Sequence, residues 1–348
     1  AVPTGQIDTS GNSLLFFGSL HGSLAEPGAL YREDAMVYDL GTSLFKRADA
    51  RWSGSAYTYY WVYNQYAPAN HTGWAPFSAQ RWLFLKCKFS DIATTPRDNA
   101  FYRNLMLSGD GLYGYWRDIS YGSWDLSSST VLDSWYTMGI TNAAWSAREV
   151  TRYDRVGHCM NAYGGSFAGY VNVIGMVNGE GDAGNGGGRV LMTPNISNVT
   201  FLAHETAHSY GYGHSFDDTT RRAADWSGPG EYFDNWDIMS AMNVIGYTNG
   251  LGVTSGPEMN APYKTRQGFL PAQRISRLTP AAAPQTARLS VAAINRPEGN
   301  GALMVRVGAD DNNYYTIEYR MPYEQDRGLS RATVLVHRVT AGVSYLIT

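Results

Sequence analysis

Three histidines and a glutamate fall in one short window of this 348-residue chain: His204-Glu205-Thr206-Ala207-His208-Ser209-Tyr210-Gly211-Tyr212-Gly213-His214. On a helix, His204 and His208 are four apart and project from one face about a turn apart. Two imidazoles so placed can hold one metal ion. Glu205 beside them could accept a proton from a water that the metal activates. Gly211 can end the helix, because a left-handed backbone costs glycine little, and the chain can then bring His214 round as a third nitrogen ligand. Three protein ligands leave a fourth position open, which is the catalytic and not the structural arrangement for zinc. The chain has seven histidines, and three of them lie here. From this composition the five fixed positions would co-occur by chance on the order of once in 10^5 chains of this length. The expected site is therefore one zinc ion on His204, His208 and His214, with Glu205 as general base.

Other elements must position that window. Residues 194–197 lead into the expected helix, and Ser197 or Asn198 is its expected cap. Residues 189–192 read as a short strand that could be a sheet edge, beside which an extended peptide could add as another strand. The glycine-rich run 178–188 has no hydrophobic anchor. Its carbonyls with Glu180 and Asp182 could hold a calcium ion; the alternative is a surface loop rimming the cleft. Further upstream, 81–89 reads as a strand and 96–107 as a helix starting near Asp98. A second helix is expected at 113–119, a strand at 123–132, a long helix at 143–163 and a buried strand at 169–177. That order predicts an α/β sheet ahead of the metal helix.

Downstream, Met239 in 234–242 could pass beneath the histidines in a tight turn or be an ordinary apolar anchor. Residues 261–270 read as a helix, and Pro271 with 279–284 marks a boundary. Strands are expected at 287–292, 302–307, 314–319 and 333–339, giving a β-sandwich or an antiparallel sheet. His337 alternates with apolar neighbours there and reads as structural. Residues 1–75 mix short apolar runs with aromatic β-prone stretches such as 56–63. They read as a β-rich segment packed on the rest or as a zymogen segment. No cysteine precedes Cys87, so inhibition by a cysteine ligand is excluded from that segment, whereas Asp34 or Asp39 could serve. The expected division is a β-rich segment at 1–75, a catalytic domain at 76–272 and a C-terminal β-sandwich at 273–348.

Bulk composition narrows the partners. The net charge is -3, only 16% of residues are charged and no basic run occurs, which argues against nucleic acid or an anionic membrane surface. No apolar run is long enough to span a bilayer. Tyr (25), Trp (10) and Gly (38) favour strands and turns. Ala1-Val2-Pro3 reads as a mature end after processing. Cys87 and Cys159 can form one bridge but no disulfide framework. Sequons at Asn70, Asn195 and Asn198 add weak support for a secreted glycoprotein.

The H-E-x-x-H-x-x-G-x-x-H run with a methionine downstream resembles the metzincin zinc endopeptidases, whose pattern is this motif followed by a Met-turn. The resemblance implies His204, His208 and His214 as zinc ligands, Glu205 as general base, Gly211 as the turn glycine and Met239 as the Met-turn methionine. Met242 is a second candidate for that turn. More loosely, residues 80–340 are similar to secreted peptidases of the gametolysin and immune-inhibitor-A kind. Ser215 stands where many metzincins have an acidic residue, and Ser240-Ala241 follows Met239 where some have a tyrosine two residues on. The implied protein is a secreted zinc endopeptidase with a protein or peptide substrate in extended conformation. The competing readings are a zinc hydrolase of non-peptide amides and a matrix- or glycan-binding module with a secondary zinc site.

Overall fold

The computed structural model describes residues 78–147, 151–280 and 286–348, together with the backbone of six strands between residues 6 and 66. The side chains of Asp34 and Asp39, the sequon at Asn70, the break at Gly73 and most of 279–284 lie outside the described residues. In the N-terminal strands, Gln6–Asp8, Ser13–Phe17, Met36–Asp39 and Leu44–Trp52 run side by side, and Leu30–Tyr31 and Tyr57–Tyr66 both pair with Leu44–Trp52. Residues 57–63 of the aromatic stretch fall in the last of these strands.

The remainder is a mixed α/β structure with several sheets and few helices. Its centre is a five-stranded sheet in the order Thr130–Thr137, Trp82–Lys88, Asn172–Val177, Arg189–Met192, Gly184–Gly186. The first four strands are parallel and the last is antiparallel. Trp82–Lys88 shows why its sequence is largely apolar. Trp82 and Phe84 face one core with Leu202 and Ala203, while Leu83, Leu85 and Cys87 face a second with Val156 and Cys159. A parallel strand covered on both faces needs apolar residues at every position rather than at alternate ones. Lys86 is the exception. It is fully buried, its ammonium bonded to the Asn99 side chain and, at 3.2 Å, to the Asp133 carbonyl.

Among the described residues six α-helices complete this part: α1 Asn99–Leu107, α2 Leu112–Ile119, α3 Asn142–Ser146, α4 Arg152–Tyr163, α5 Val199–Ser209 and α6 Ala261–Arg266. α1 starts near Asp98 as expected, and Asp98 caps it, accepting the Phe101 N–H at 2.7 Å. The single helix expected at 143–163 is two helices. Thr151 and Asp154 form a reciprocal capping box, which starts α4 afresh after α3 has ended. Cys87 on its strand and Cys159 on α4 form a disulfide, with Cα atoms 5.6 Å apart, pinning that helix to the sheet. No described helix is long and apolar enough to cross a membrane.

Of the sandwich or antiparallel sheet expected at the C-terminus, the chain forms one six-stranded sheet, antiparallel over its four central strands and parallel at each margin. Its order is Phe216–Asp217, Val343–Leu346, Thr333–Thr340, Asn313–Arg320, Met304–Val307, Ile275–Leu278. Burial along Thr333–Thr340 gives the reason: Leu335, His337 and Val339 are buried, while Val334, Arg338 and Thr340 on the opposite face are exposed, Val334 to 60%. Only one face is covered, so a second sheet has nothing to bury. The stretch 287–292 is not a strand and contributes one isolated bridge, Val291 to Ala302, with a second just beyond it from Ala293 to Tyr319. Ile275, Leu303 and Met304 join the same apolar cluster as Trp82 and Leu202, so this sheet shares a core with the central one.

Candidate metal centre and its cleft

Helix α5 carries the first half of the site. Asn198 caps it, its Oδ1 accepting the Phe201 N–H at 2.8 Å, an interaction typically worth about 1 kcal/mol. Its apolar side faces the core, and Trp116 of α2 donates its indole N–H to Thr206 Oγ1 at 3.0 Å. His204 and His208 lie on one face with their Nε2 atoms 3.1 Å apart. The helix stops at Gly211, whose φ of 85° is the left-handed conformation that glycine accepts most easily. The chain then reverses and places His214 opposite. One ring nitrogen from each of the three histidines lies within 4.8 Å of the other two, close enough to hold one metal ion.

The other ring nitrogens fix the tautomers. His204 Nδ1 is 3.0 Å from the Ile238 carbonyl oxygen and His208 Nδ1 is 2.9 Å from that of Tyr212. A carbonyl only accepts, so each Nδ1 carries the proton and each Nε2 is a bare lone pair. Two bare lone pairs 3.1 Å apart repel; a cation between them makes the arrangement attractive. His214 Nδ1 is anchored 2.6 Å from the Glu231 carboxylate, so its Nε2 also faces inward. Burial, with a smaller effect of His208, holds the His204 imidazole down at about 3, and burial lowers His208 as well. Both are therefore neutral and able to ligate near neutral pH.

Glu205 is 8% exposed and lines the same cleft. Burial pushes its carboxyl up to about 7, opposed by the Asn185 backbone N–H, which donates to Oε2 at 2.6 Å. That donor comes from Gly184–Gly186, the strand at the sheet edge. The strand at Arg189–Met192, expected as the edge, is interior and paired on both sides. The glycine-rich run was legible only as a loop because a glycine strand offers no side-chain alternation. Yet glycine is what fits: a Cβ on Gly186 would meet the Tyr153 backbone nitrogen at 2.5 Å. Asp182, which with Glu180 was one candidate pair for calcium, forms a fork to Arg152 at 2.9 and 3.0 Å and reaches Arg155 at 3.4 Å. Glu180 is exposed.

Met239 is fully buried in the turn Ile238–Asn243 beneath α5, where Ala241 takes a φ of 49°. Asp237 caps this turn, accepting the Met239 N–H at 2.6 Å. The neighbouring Ile238 carbonyl is the one that orients His204. Ser215 and Ser240, the residues following the third histidine and the methionine, are both buried and their hydroxyls lie 2.8 Å apart. A pair of small hydroxyls thus joins the His214 segment to the turn. His337 is buried and bonds Asp234 at 3.0 Å, so its role is structural, as expected.

The cleft has a volume of about 1110 Å³. Besides the histidines and Glu205, its lining includes Arg152, Asn185, Trp226, Tyr232 and Val244. Tyr232 was not found from the sequence. Its Oη is 3.2 Å from His214 Nε2, and its ring centroid is 4.3 Å from the imidazole. Burial raises its phenol to about 12, so it carries its proton at neutral pH. Its φ of 68° is held by its N–H on the Ser215 carbonyl at 3.0 Å and by Asn243 on its own carbonyl at 2.9 Å. Such backbone strain in a non-glycine residue is concentrated at functional sites.

No family model and no curated protein matches the chain. Among solved structures, wild-type OgpA from Akkermansia muciniphila is similar over 80% of this chain and 95% of that one, with 11% identity and a TM-score of 0.35.

Proposed function

We propose that this protein is a secreted zinc endopeptidase of the metzincin kind. One observation carries the reading: three histidines anchored through Nδ1 converge their Nε2 atoms on one point, with Glu205 beside them in an open cleft. The donor set fits zinc. Zinc–imidazole bonds of about 2.0–2.1 Å in a tetrahedral site separate ligand nitrogens by roughly 3.3 Å. The His204 and His208 nitrogens are 3.1 Å apart. When bound, zinc lowers the pKa of a water towards neutrality and polarises a carbonyl. Secretion is supported by the disulfide, which fits an oxidising compartment.

The residues divide the remaining work. Glu205 takes a proton from the attacking water and returns it to the leaving amine. Its raised pKa suits both directions of transfer near neutral pH. The sheet edge at Gly184–Gly186 receives the substrate as an extended strand, backbone to backbone. The protonated Tyr232 hydroxyl donates to the carbonyl oxygen as negative charge develops on it. Tyr232→Phe keeps the ring on His214 and removes this donor alone. Steady-state kinetics should show kcat lower by about 10^2-fold with KM little changed, the scale of one lost oxyanion donor. An unchanged kcat would remove Tyr232 from the chemistry.

The test of the reading as a whole joins metal analysis to substrate profiling. Purified protein should contain one zinc per chain. It should cleave a denatured protein and a peptide library, and a chelator should abolish cleavage until zinc is restored. Hydrolysis of small non-peptide amides with none of peptides would replace this reading by the zinc amidohydrolase one.

A further inference from the structure

The edge strand Gly184–Gly186 offers the metal helix a single side chain. Between Gly184 and Gly186, Asn185 alone on that strand has one. Its Nδ2 donates to the Glu205 carbonyl at 2.8 Å and to Ser209 Oγ at 2.9 Å. Its Oδ1 accepts the Gly188 N–H at 3.0 Å, which closes the hairpin, and its own N–H holds Glu205 Oε2 at 2.6 Å. Ser209 completes the ring by donating to the Gly188 carbonyl at 2.7 Å. On the other side the strand is pressed against α4, where the close approach at Gly186 leaves no room for a side chain. Asn185 therefore touches both the backbone and the carboxylate of one helical residue, and that residue is Glu205.

We propose that Asn185 is a positioning residue: it clamps the sheet edge onto α5 and so fixes where the Glu205 carboxylate points in the cleft. The clamp has two consequences. The carboxylate has one oxygen tied to the edge and the other left to face the cleft. The edge itself, and any strand laid along it, is held in one register relative to the three histidines. A carboxylate free to rotate, or an edge free to slide, would lose near-attack geometry, and small misplacements of this kind are costly to rate.

The kinetic arm of the test rests on the peptidase reading above; the exchange arm does not. Asn185→Ala removes three side-chain hydrogen bonds and leaves the backbone N–H. The expected result is a kcat lower by about 10-fold or more, with KM changed far less and zinc content unchanged. Amide hydrogen exchange across residues 184–188, measured by mass spectrometry with and without zinc, should accelerate by a similar factor. Ser209→Ala cuts only one arm of the ring and should give a smaller rise in exchange, which decides the matter if Asn185→Ala does not fold. Exchange at the wild-type rate overturns the clamp, and faster exchange with an unchanged kcat overturns its role in positioning Glu205. A wild-type chain that hydrolyses no peptide overturns the peptidase reading and with it the positioning role, while faster exchange in the variants would still establish the clamp.

Discussion

Glu205→Gln should lower kcat by about 10^2- to 10^4-fold, the span usually contributed by a general acid–base group. Zinc content and KM should stay near wild-type values. The substitution is nearly isosteric, and the glutamine carbonyl oxygen can still accept the Asn185 N–H that Oε2 accepts at 2.6 Å. What it removes is the ability to take a proton. It should also leave the fold at least as stable. Glu205 is a carboxylate 8% exposed whose protonation burial favours, so the wild-type chain bears a desolvation cost that the neutral amide avoids. Loss of turnover with an unchanged or higher melting temperature is the signature of a group kept for chemistry. A variant with full activity would sink the assignment. A variant that also loses zinc would show that Glu205 acts through the metal site's structure instead.

The pattern of what was legible follows from how local each signal is. The spacing of His204 and His208, the stop at Gly211, the helix start near Asp98 and a cap at Ser197 or Asn198 are decided within one or two helical turns, and all four hold, the cap being Asn198. The partners that orient the histidines were not legible. Two are the backbone carbonyls of Ile238 and Tyr212, and a carbonyl has no residue type to read. Tyr232 and Glu231 reach His214 from a stretch without periodicity, so nothing in the chain separated them from the other aromatic and acidic residues. The edge strand was hidden by its own glycines. The C-terminal strands at 302–307, 314–319 and 333–339 were legible, yet their assembly was not, because a four-residue strand at 275–278 and, from outside the expected unit, a two-residue strand at 216–217 extend them into one mixed sheet. Strand pairing is a long-range fact, and a two-residue strand has no period to detect.

The same long-range pairing sets the second large effect. Arg320→Met should lower unfolding stability by about 3–5 kcal/mol, the usual consequence of removing one partner from a buried ion cluster. That is a large part of the 5–15 kcal/mol typical of a folded domain. Arg320 is wholly buried and bonds Glu318 at 2.7 Å, Asp326 at 3.2 Å, and the carbonyls of Met259 at 3.0 Å and Trp236 at 3.3 Å. Methionine fills the volume and leaves two buried carboxylates facing an apolar chain. They can be relieved only by protonation. Burial already pushes Asp326 up to about 6, with Arg320 opposing, so deleting the guanidinium must raise it further. A carboxyl whose folded pKa exceeds its unfolded value contributes stability at low pH that is lost as pH rises through the folded value. Urea titrations should therefore show the deficit growing from pH 5 to pH 8. The effect should also reach the metal. Asp326 accepts the Glu258 N–H at 3.0 Å, the Glu258 carbonyl accepts the Ile238 N–H at 3.3 Å, and the Ile238 carbonyl holds His204. Loosening that chain should weaken zinc binding by about 10-fold, at the low end for a lost outer-shell partner. Wild-type zinc affinity in a destabilised variant would mean that the C-terminal sheet supports the fold without tuning the site.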